Sequence, residues 1–250
     1  MQNSLLVGLS RQVALSRELD VIANNLANMN TTGFKADGSV FEEYLSSLAR
    51  GAPNARVSFV QDRATWTDMS GGPVEHTGNA LDVAINGDGY FAVQTQRGVR
   101  YTRNGSFQIA PNGQIVTADG SPVLGDGGPI TLQSTDRQIS ISPDGSVSVR
   151  EGSATADSLR GKLRIVTFAN NRDLQKDGNS TFNYVGNGAP VDSTNATVVQ
   201  GALEKSNVRG VVEMSRMIEI TRYYTQIAAM IQQQSDLGQT AIDKLAEIPN

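Results

Sequence analysis

The chain has 250 residues and a formal net charge of −4, and its 21 Lys and Arg residues are scattered rather than clustered. This distribution lacks the basic footprint that binds a phosphate backbone, so no nucleic-acid partner is expected. The chain contains no cysteine, which excludes disulfides, thiolate nucleophiles and zinc–thiolate sites. No apolar stretch approaches the roughly 18 residues of a membrane span, and the N-terminus lacks a signal-peptide pattern, so neither membrane insertion nor signal-peptide secretion is expected.

Helical periodicity marks the first segment of the chain. Residues 4–29 are predicted to form a helix, because residues that are apolar or small, apart from one glutamine, recur in alternating steps of three and four, at Leu5, Gly8, Gln12, Leu15, Leu19, Ile22, Leu26 and Met29. At about 1.5 Å per residue, this helix would be roughly 40 Å long. Gly33 follows it, and glycine at such a position takes the left-handed conformation that ends many helices.

Short β-rich segments and turn dipeptides fill the middle of the chain. Asn-Gly and Asp-Gly pairs recur there, and they tolerate the positive φ angles of tight hairpin turns. Strands are predicted at residues 81–85, 90–94, 100–103, 107–110, 115–117, 139–142, 147–150, 162–168 and 182–185. No long helices alternate with them, which favours an antiparallel β domain over residues 72–199. Residues 36–71 are predicted to form a connecting arm that is either extended or contains a brief helix.

A second helix, about 60 Å long by the same rise per residue, is predicted over residues 207–247. Its seam also alternates steps of three and four, at Met217, Ile220, Tyr224, Ile227, Ile231, Gln234, Gly238, Ala241, Leu245 and Ile248. Two end helices with matching seams predict a coiled coil between the two ends of the chain. The predicted fold is therefore α+β, with assembly segments at residues 1–35 and 200–250 around the arm and the β domain. The longer seam exceeds the shorter one, so part of it is expected to find neighbours.

Asparagines crowd the end of the first helix, at Asn24, Asn25, Asn28 and Asn30. Asparagine is a mediocre helix former, and about half of these side chains are explained by a frayed helix end that uses amides to satisfy its last carbonyls. The others are predicted to make inter-subunit hydrogen bonds, because a polar residue in a helical seam fixes its register. The predicted assembly interface comprises Leu15, Leu19, Ile22, Asn24, Asn25, Leu26, Asn28, Met29, Met217, Ile220, Tyr224, Ile227, Ile231 and Leu245.

Residues suited to catalysis or metal binding are few. His76 is the sole histidine, it is not accompanied by a nucleophile motif, and a loop role is expected for it. Asp88, Asp119, Asp126 and Asp144 do not follow the spacing of a calcium-binding loop and are interpreted as turn residues. No catalytic residue, metal or cofactor is predicted, and the chain is not expected to be an enzyme. A pair of carboxylates acting on envelope polysaccharide stays open as an alternative.

One long motif stands at the end of the first predicted helix. The stretch LDVIANNLANMNTTGFK at residues 19–35 resembles the N-terminal motif of the bacterial flagellar basal-body rod proteins. Further matches are TGNALDVAI at residues 77–85, GYFAV at 89–93, YTRNGSF at 101–107 and QGALEKSNV at 200–208, so the resemblance extends over essentially the whole chain. Within the family, residues 6–12 and the chain length look most like the proximal rod members.

The resemblance implies a structural subunit of the rod, the shaft that transmits torque from the motor to the hook and filament. It also implies export through the flagellar type III apparatus and a place in the periplasmic part of the rod. The implied partners are proximal and distal rod subunits, including further copies of this chain, which pack through their terminal helices into a tube. A distal rod subunit is the first alternative. An envelope polysaccharide-acting enzyme and a surface-binding module on a helical stalk are the others.

Overall fold

The computed structural model describes residues 2–46, 57–152 and 156–246, with side chains described at residues 5–40, 65–152, 156–240, 243 and 244. The chain forms two compact units. The helical unit comprises Met1–Ala27, Asp37–Asp68 and Arg209–Asn250, and the β unit comprises Asn28–Ala36 and Met69–Val208. The chain passes between the two units four times. The predicted α+β class, with long end helices and a central antiparallel β domain, is confirmed.

The helical unit contains two helices and two strands. Helix α1 covers Gln2–Ala27, and helix α2 covers Gly210–Ala246. Strands β1, Asp37–Ser46, and β2, Val57–Thr67, pair antiparallel with a register shift at Val40/Phe41, and α1 packs against both strands and against α2. Of the two options predicted for the arm, the extended one is therefore found in the part that the structure describes.

The β unit consists of short strands, and all its described pairings are antiparallel. The strands are β3 Val74–His76, β4 Val83–Asn86, β5 Tyr90–Thr95, β6 Gly98–Thr102, β7 Phe107–Ile109, β8 Ile115–Thr117, β9 Leu124–Gly125, β10 Gly128–Pro129, β11 Asp136–Ile141, β12 Ser146–Glu151, β13 Asp157–Lys162, β14 Ile165–Thr167, β15 Leu174–Lys176, β16 Thr181–Tyr184, β17 Val191–Asp192, β18 Thr197–Gln200 and β19 Ala202–Glu204. The largest sheet has six strands in the order β15-β16-β6-β5-β14-β17, and a second sheet has three, β11-β12-β13. Four further two-stranded pairs are β10-β9, β18-β4, β19-β3 and β7-β8.

Two apolar clusters form the core of the β unit. The larger one is aliphatic apart from Phe91 and Phe107, whose rings meet edge to face with centroids 5.2 Å apart. The smaller one is aromatic and includes Tyr90, Tyr101 and Phe182. Because alternate residues of each strand point to opposite faces, short strands such as β5 supply side chains to both clusters.

The glycines of the predicted hairpin turns serve two different purposes. Gly113 has φ +82°, the left-handed conformation that a tight turn requires. Gly105 instead provides space, because a β-carbon built there would lie 1.7 Å from the carbonyl oxygen of Val83. The Asn112-Gly113 pair correctly predicted the hairpin turn between β7 and β8. Asn104-Gly105 instead connects β6 to β7, and these strands pair with other strands rather than with each other, so the hairpin predicted there was wrong.

Two of the short strand pairs bring distant parts of the chain together. Strand β18 pairs with β4, and β19 pairs with β3, so Glu204 at the end of β19 lies opposite Val74. The segment after α1 joins them, because Gly33 N donates to the carbonyl oxygen of Glu204 at 2.8 Å. These contacts position the charged cluster described below.

Candidate functional site

The two helices pair antiparallel along their lengths. Gly8 of α1 lies against Ile231 of α2, with a β-carbon at Gly8 falling 3.0 Å from Ile231 Cγ1. Further along, Arg216 on α2 donates to Glu18 Oε1 on α1 at 2.6 Å. Positions nearer the C-terminus of α1 thus contact positions nearer the N-terminus of α2, as expected for antiparallel helices. The absence of a side chain at Gly8 allows the two backbones to approach at this point.

Most seam residues predicted from the sequence are buried or half-buried, on helices that pack against each other and, in the case of α1, also against β1 and β2. On α2, Ile220 is buried and Met217, Tyr224, Ile227 and Ile231 are half-buried, while the neighbouring positions are mostly exposed. On α1, Ile22 is buried and Leu15, Leu19 and Leu26 are half-buried. Met29 is exposed, and the side chain of Leu245 lies outside the described part of α2. Their role between subunits stays a prediction.

The asparagines at the end of α1 serve different local purposes. The buried side chain of Asn25 donates from Nδ2 to the carbonyl oxygen of Asp37 at 2.8 Å and accepts from Asp37 N at 2.9 Å. Asn25 thus ties the first residue of β1 to α1 within the same chain. Asn28 accepts from the Thr31 hydroxyl at 3.1 Å in the turn that follows the helix. Asn24 is exposed.

A cluster of buried charges lies in the β unit. Lys35 Nζ lies 2.5 Å from Glu204 Oε1, and Arg103 donates from NH1 to Glu204 Oε2 at 3.2 Å. The side chains of Lys35, Glu204 and Arg103 are 0%, 1% and 6% exposed. Since a charge taken out of water is costly unless it is paired, this cluster forms only when all three segments are in place.

The same cluster binds every segment of the β unit that leads to or from the helical unit. Lys35 Nζ also donates to the carbonyl oxygen of Ser70 at 2.6 Å, and Glu204 accepts from Gly72 N at 3.0 Å. Asn207 extends the network, since it accepts from Ala36 N at 2.7 Å and donates to Ser70. Sequence reasoning placed Lys35, Arg103 and Glu204 inside three recognisable stretches but assigned them no role, because nothing in their spacing indicates that they meet.

A cavity of about 550 Å³ lies beside the cluster and is bordered by Tyr90 and Arg103. Burial raises the pKa of Tyr90, and the nearby Arg103 guanidinium partly offsets this rise. Neither the Tyr90 hydroxyl nor Arg103 Nε makes a well-aligned hydrogen bond within the described residues. The guanidinium carbon lies 5.1 Å from the Tyr90 ring centroid, so a cation–π contact joins the charge cluster to the aromatic core.

Two aspartates of the β unit hydrogen-bond within their own turns. Asp82 accepts from the Thr77 hydroxyl at 2.7 Å and from Asn79 Nδ2 at 3.1 Å. Asp144 accepts from the Ser146 hydroxyl at 2.7 Å. Within residues 2–46, 57–152 and 156–246, no group of three or more His, Cys, Asp or Glu side chains is arranged to hold a metal. Over the same residues, no helix is both long and apolar enough to cross a membrane.

Three family models match successive parts of the chain. Residues 5–35 match the flagella basal body rod protein family, residues 84–149 match the D1 domain of the flagellar hook protein FlgE/F/G, and residues 199–244 match the C-terminal region of flagellar basal body rod FlgEFG proteins. The first and third matches fall mainly on the two helices. The second falls on the β unit.

Relatives match over nearly the full length of the chain. The flagellar basal-body rod protein FlgF of Caulobacter vibrioides is 40% identical, with 99% of this chain and 100% of the relative covered. FlgF of Mesorhizobium japonicum is 37% identical, with 98% of each chain covered. The flagellar basal-body rod protein FlgG of Bacillus subtilis is 33% identical, with 97% of this chain and 99% of the relative covered.

Proposed function

This chain belongs to the family of flagellar basal-body rod proteins, and we propose that it serves as a proximal-rod subunit whose end helices polymerise into the shaft. The observation that carries this proposal is the alignment with two FlgF proteins at 40% and 37% identity over essentially the whole of both chains. FlgF of Rhizobium meliloti and FlgG of Bacillus subtilis are each 33% identical. The chain is therefore a structural subunit of the rod, with the distal position as the alternative.

The helical unit is the part suited to assembly. Long helices spread a torsional load over many apolar contacts, each of which is weak alone. We assign roles to the segments predicted from the sequence. Residues 1–35 and 200–250 mediate assembly, residues 36–71 connect the first helix to the β domain, and residues 72–199 form the β domain. The seam residues, including Ile220 and Ile227, hold the helix pair together. The pair then presents its remaining surface to further copies and to other rod subunits.

Export and location follow from the same role. A rod subunit acts beyond the inner membrane, so we assign this chain to the part of the rod within the periplasm and its export to the flagellar type III apparatus. The predicted absence of enzymatic activity belongs to the same proposal. The proteins named FlgF and FlgG that it resembles are described as rod proteins, which supports a structural role.

A single substitution in the helix pair tests the proposal. Ile227→Asp places a charge on the half-buried face of α2, and we expect it to abolish swimming and to remove this chain from isolated basal bodies. Thr225→Asp is the matched control, because it introduces the same charge on the same helix at an exposed position. Hydrogen exchange at backbone amides of the β unit checks that this unit is folded in both variants. Normal swimming of Ile227→Asp would refute the seam assignment.

Location and export need separate measurements. Antibody labelling of isolated basal bodies should place this chain on the rod, between the motor end and the distal rod. Deletion of a component of the flagellar type III export apparatus should leave the chain in the cytoplasm, as measured by cell fractionation. Labelling beyond the distal rod would favour the alternative position, and secretion in the deletion strain would contradict the export route.

A further inference from the structure

Four asparagine–glycine pairs occur in the chain, at residues 86–87, 104–105, 112–113 and 187–188. Asparagine is a thermolabile residue, because the next backbone nitrogen can attack its side-chain carbonyl carbon. Glycine as the next residue favours this attack, since it has no β-carbon to obstruct the approach. The reaction also requires the side chain and the following peptide to rotate, and the freedom to do so differs between the four pairs.

Hydrogen bonds hold the Asn112-Gly113 pair. The side-chain amide of Asn112 donates from Nδ2 to Gln114 Oε1 at 3.0 Å and accepts from Gln114 N at 3.1 Å. The attacking nitrogen is also engaged, because Gly113 N donates to the carbonyl oxygen of Ala110 at 2.8 Å. Three hydrogen bonds therefore have to break before Gly113 N can reach Cγ of Asn112.

The Asn104-Gly105 pair is held by hydrogen bonds and by burial. Asn104 N donates to the Thr102 hydroxyl at 3.0 Å, and Asn104 Oδ1 accepts from Ser106 N at 3.0 Å. Gly105 is buried, and its carbonyl oxygen accepts from Val83 N at 3.0 Å. The peptide between Asn104 and Gly105 is therefore fixed from both sides.

The Asn86-Gly87 pair is exposed, but its backbone has two anchors. Asn86 is the last residue of β4 and pairs with Thr197 of β18. The carbonyl oxygen of Gly87 accepts from NH2 of the buried Arg103 at 2.9 Å. A ring between Asn86 and Gly87 would require the peptide between these two anchors to rotate, so the β4–β18 pairing opposes its formation.

The Asn187-Gly188 pair has none of these constraints. Both residues are exposed, and they lie between β16 and β17, outside the strands. Within the residues that the structure describes, neither the Asn187 side-chain amide nor Gly188 N makes a hydrogen bond. The peptide between them can therefore rotate without breaking one.

We propose that Asn187 is a site of spontaneous modification and that it reacts before the asparagines of the other three pairs. Gly188 N bonds to Cγ of Asn187 while the bond between Cγ and Nδ2 breaks, which closes a five-membered succinimide. The Gly188 N–H proton leaves with Nδ2 as ammonia. Water then opens the ring. Cleavage of the bond from the ring nitrogen to Cγ gives aspartate, and cleavage of the bond to the backbone carbonyl carbon gives isoaspartate.

The fold accommodates either product at residue 187. Val185 N donates to the carbonyl oxygen of Asp173 at 3.0 Å, and Val191 pairs with Thr167 in the six-stranded sheet. Residues 186–190 lie between these anchors and belong to no described strand, so the extra backbone atom of isoaspartate displaces no ladder hydrogen bond. The modified chain stays folded and carries one more negative charge than the formal −4 of the unmodified chain.

Mass spectrometry of the full chain tests the proposal. The purified protein is incubated in neutral buffer and digested with trypsin at intervals. Fragment spectra assign the mass change from amide to acid to individual residues, relative to a sample without incubation. Asn187 should convert at least about tenfold faster than Asn112, where three hydrogen bonds have to break first. Labelling with an isoaspartate methyltransferase should detect isoaspartate at residue 187.

Two variants and one change of conditions serve as controls. Asn187→Gln should abolish the labelling at this position. Gly188→Ala should slow the conversion of Asn187, and its β-carbon would lie 3.4 Å from the Tyr184 hydroxyl, an ordinary contact, so this variant should fold normally. In concentrated urea the four pairs should convert at similar rates, because the unfolded chain lacks the hydrogen bonds that distinguish them.

Three results would overturn the proposal. The first is faster conversion of Asn86, Asn104 or Asn112 than of Asn187 in the folded chain. The second is an undiminished lead of Asn187 in urea, because the local sequence rather than the fold would then set the order. The third is an equal rate of conversion in Gly188→Ala and the unsubstituted chain, which would exclude attack by Gly188 N. The proposal stands apart from the rod function, which swimming and the composition of basal bodies test.

Discussion

The buried charge cluster of the β unit gives a stability prediction whose size follows from the structure. Glu204→Gln keeps the shape of the side chain and removes the charge that the buried Lys35 and Arg103 both contact. Removal of one partner from a buried ion pair costs about 3–5 kcal/mol, and Glu204 contacts two buried cations, so a loss of about 4–5 kcal/mol is expected. For a unit of this size, that loss lowers Tm by roughly 8–20 °C.

The control for this variant is an exposed ion pair on the same strand pair. Glu75 lies 3.2 Å from Lys205, and their side chains are 64% and 36% exposed, so Glu75→Gln should cost less than about 1 kcal/mol. Urea unfolding of the full chain is followed by hydrogen exchange at backbone amides of the β unit, because near-UV circular dichroism would also report Trp66, Tyr223 and Tyr224 of the helical unit. Equal losses in the two variants would show that burial of the cluster does not matter and would refute the reasoning.

Three further predictions concern other contacts of the structure. Gly8→Leu should separate the two helices and lower the midpoint temperature of helix unfolding, measured by far-UV circular dichroism. Ile231→Ala in the same chain should restore part of this decrease, because the smaller side chain makes room for Leu at position 8. Asn25→Leu removes the two hydrogen bonds that the buried Asn25 amide makes to the backbone of Asp37, at a cost of about 1–3 kcal/mol. Hydrogen exchange at the Asp37 amide should therefore accelerate, while Asn24→Ala, at an exposed position, should leave it unchanged. Arg160 donates two hydrogen bonds to Asp136, at 2.6 and 2.9 Å, and they hold the pKa of this carboxyl below its usual range. The Asp136 carboxylate therefore stabilises the three-stranded sheet above about pH 4, and the stabilisation is lost as the pH falls through the lowered pKa. Asp136→Asn should therefore lower stability at neutral pH and flatten the acid dependence in a pH series of urea unfolding curves, and an unchanged acid step would contradict this assignment.

Local patterns predicted the long helices and the hairpins well. The steps of three and four residues located both helices to within a few residues of α1 and α2, because a helix with one apolar face repeats that face at every turn. All nine predicted strands overlap strands of the structure, since Asn-Gly and Asp-Gly turns bracket many of them. Strands such as β13, Asp157–Lys162, escaped prediction. Its sequence DSLRGK has little apolar alternation, and its position depends on pairing with β12.

The charge cluster could not be predicted from the sequence. Lys35, Arg103 and Glu204 are separated by 68 and 101 residues, and each alone is typical of a solvated surface position. They meet because the β19–β3 pairing and the Gly33 contact bring three distant segments together. The assignment of inter-subunit hydrogen bonds to the asparagines met a similar difficulty. Sequence alone does not distinguish an amide that faces a neighbouring subunit from one that ties down its own backbone, as Asn25 does.

The four passages of the chain between its units have a mechanical consequence. The segments of the β unit that adjoin these passages are bound to one another through Lys35, Ser70, Glu204 and Asn207. A force applied to one connecting backbone is therefore transmitted through these hydrogen bonds to the other connecting segments. Separation of one connecting segment from the β unit requires several of these bonds to break together, so the network raises the force needed to unfold the β unit from either end.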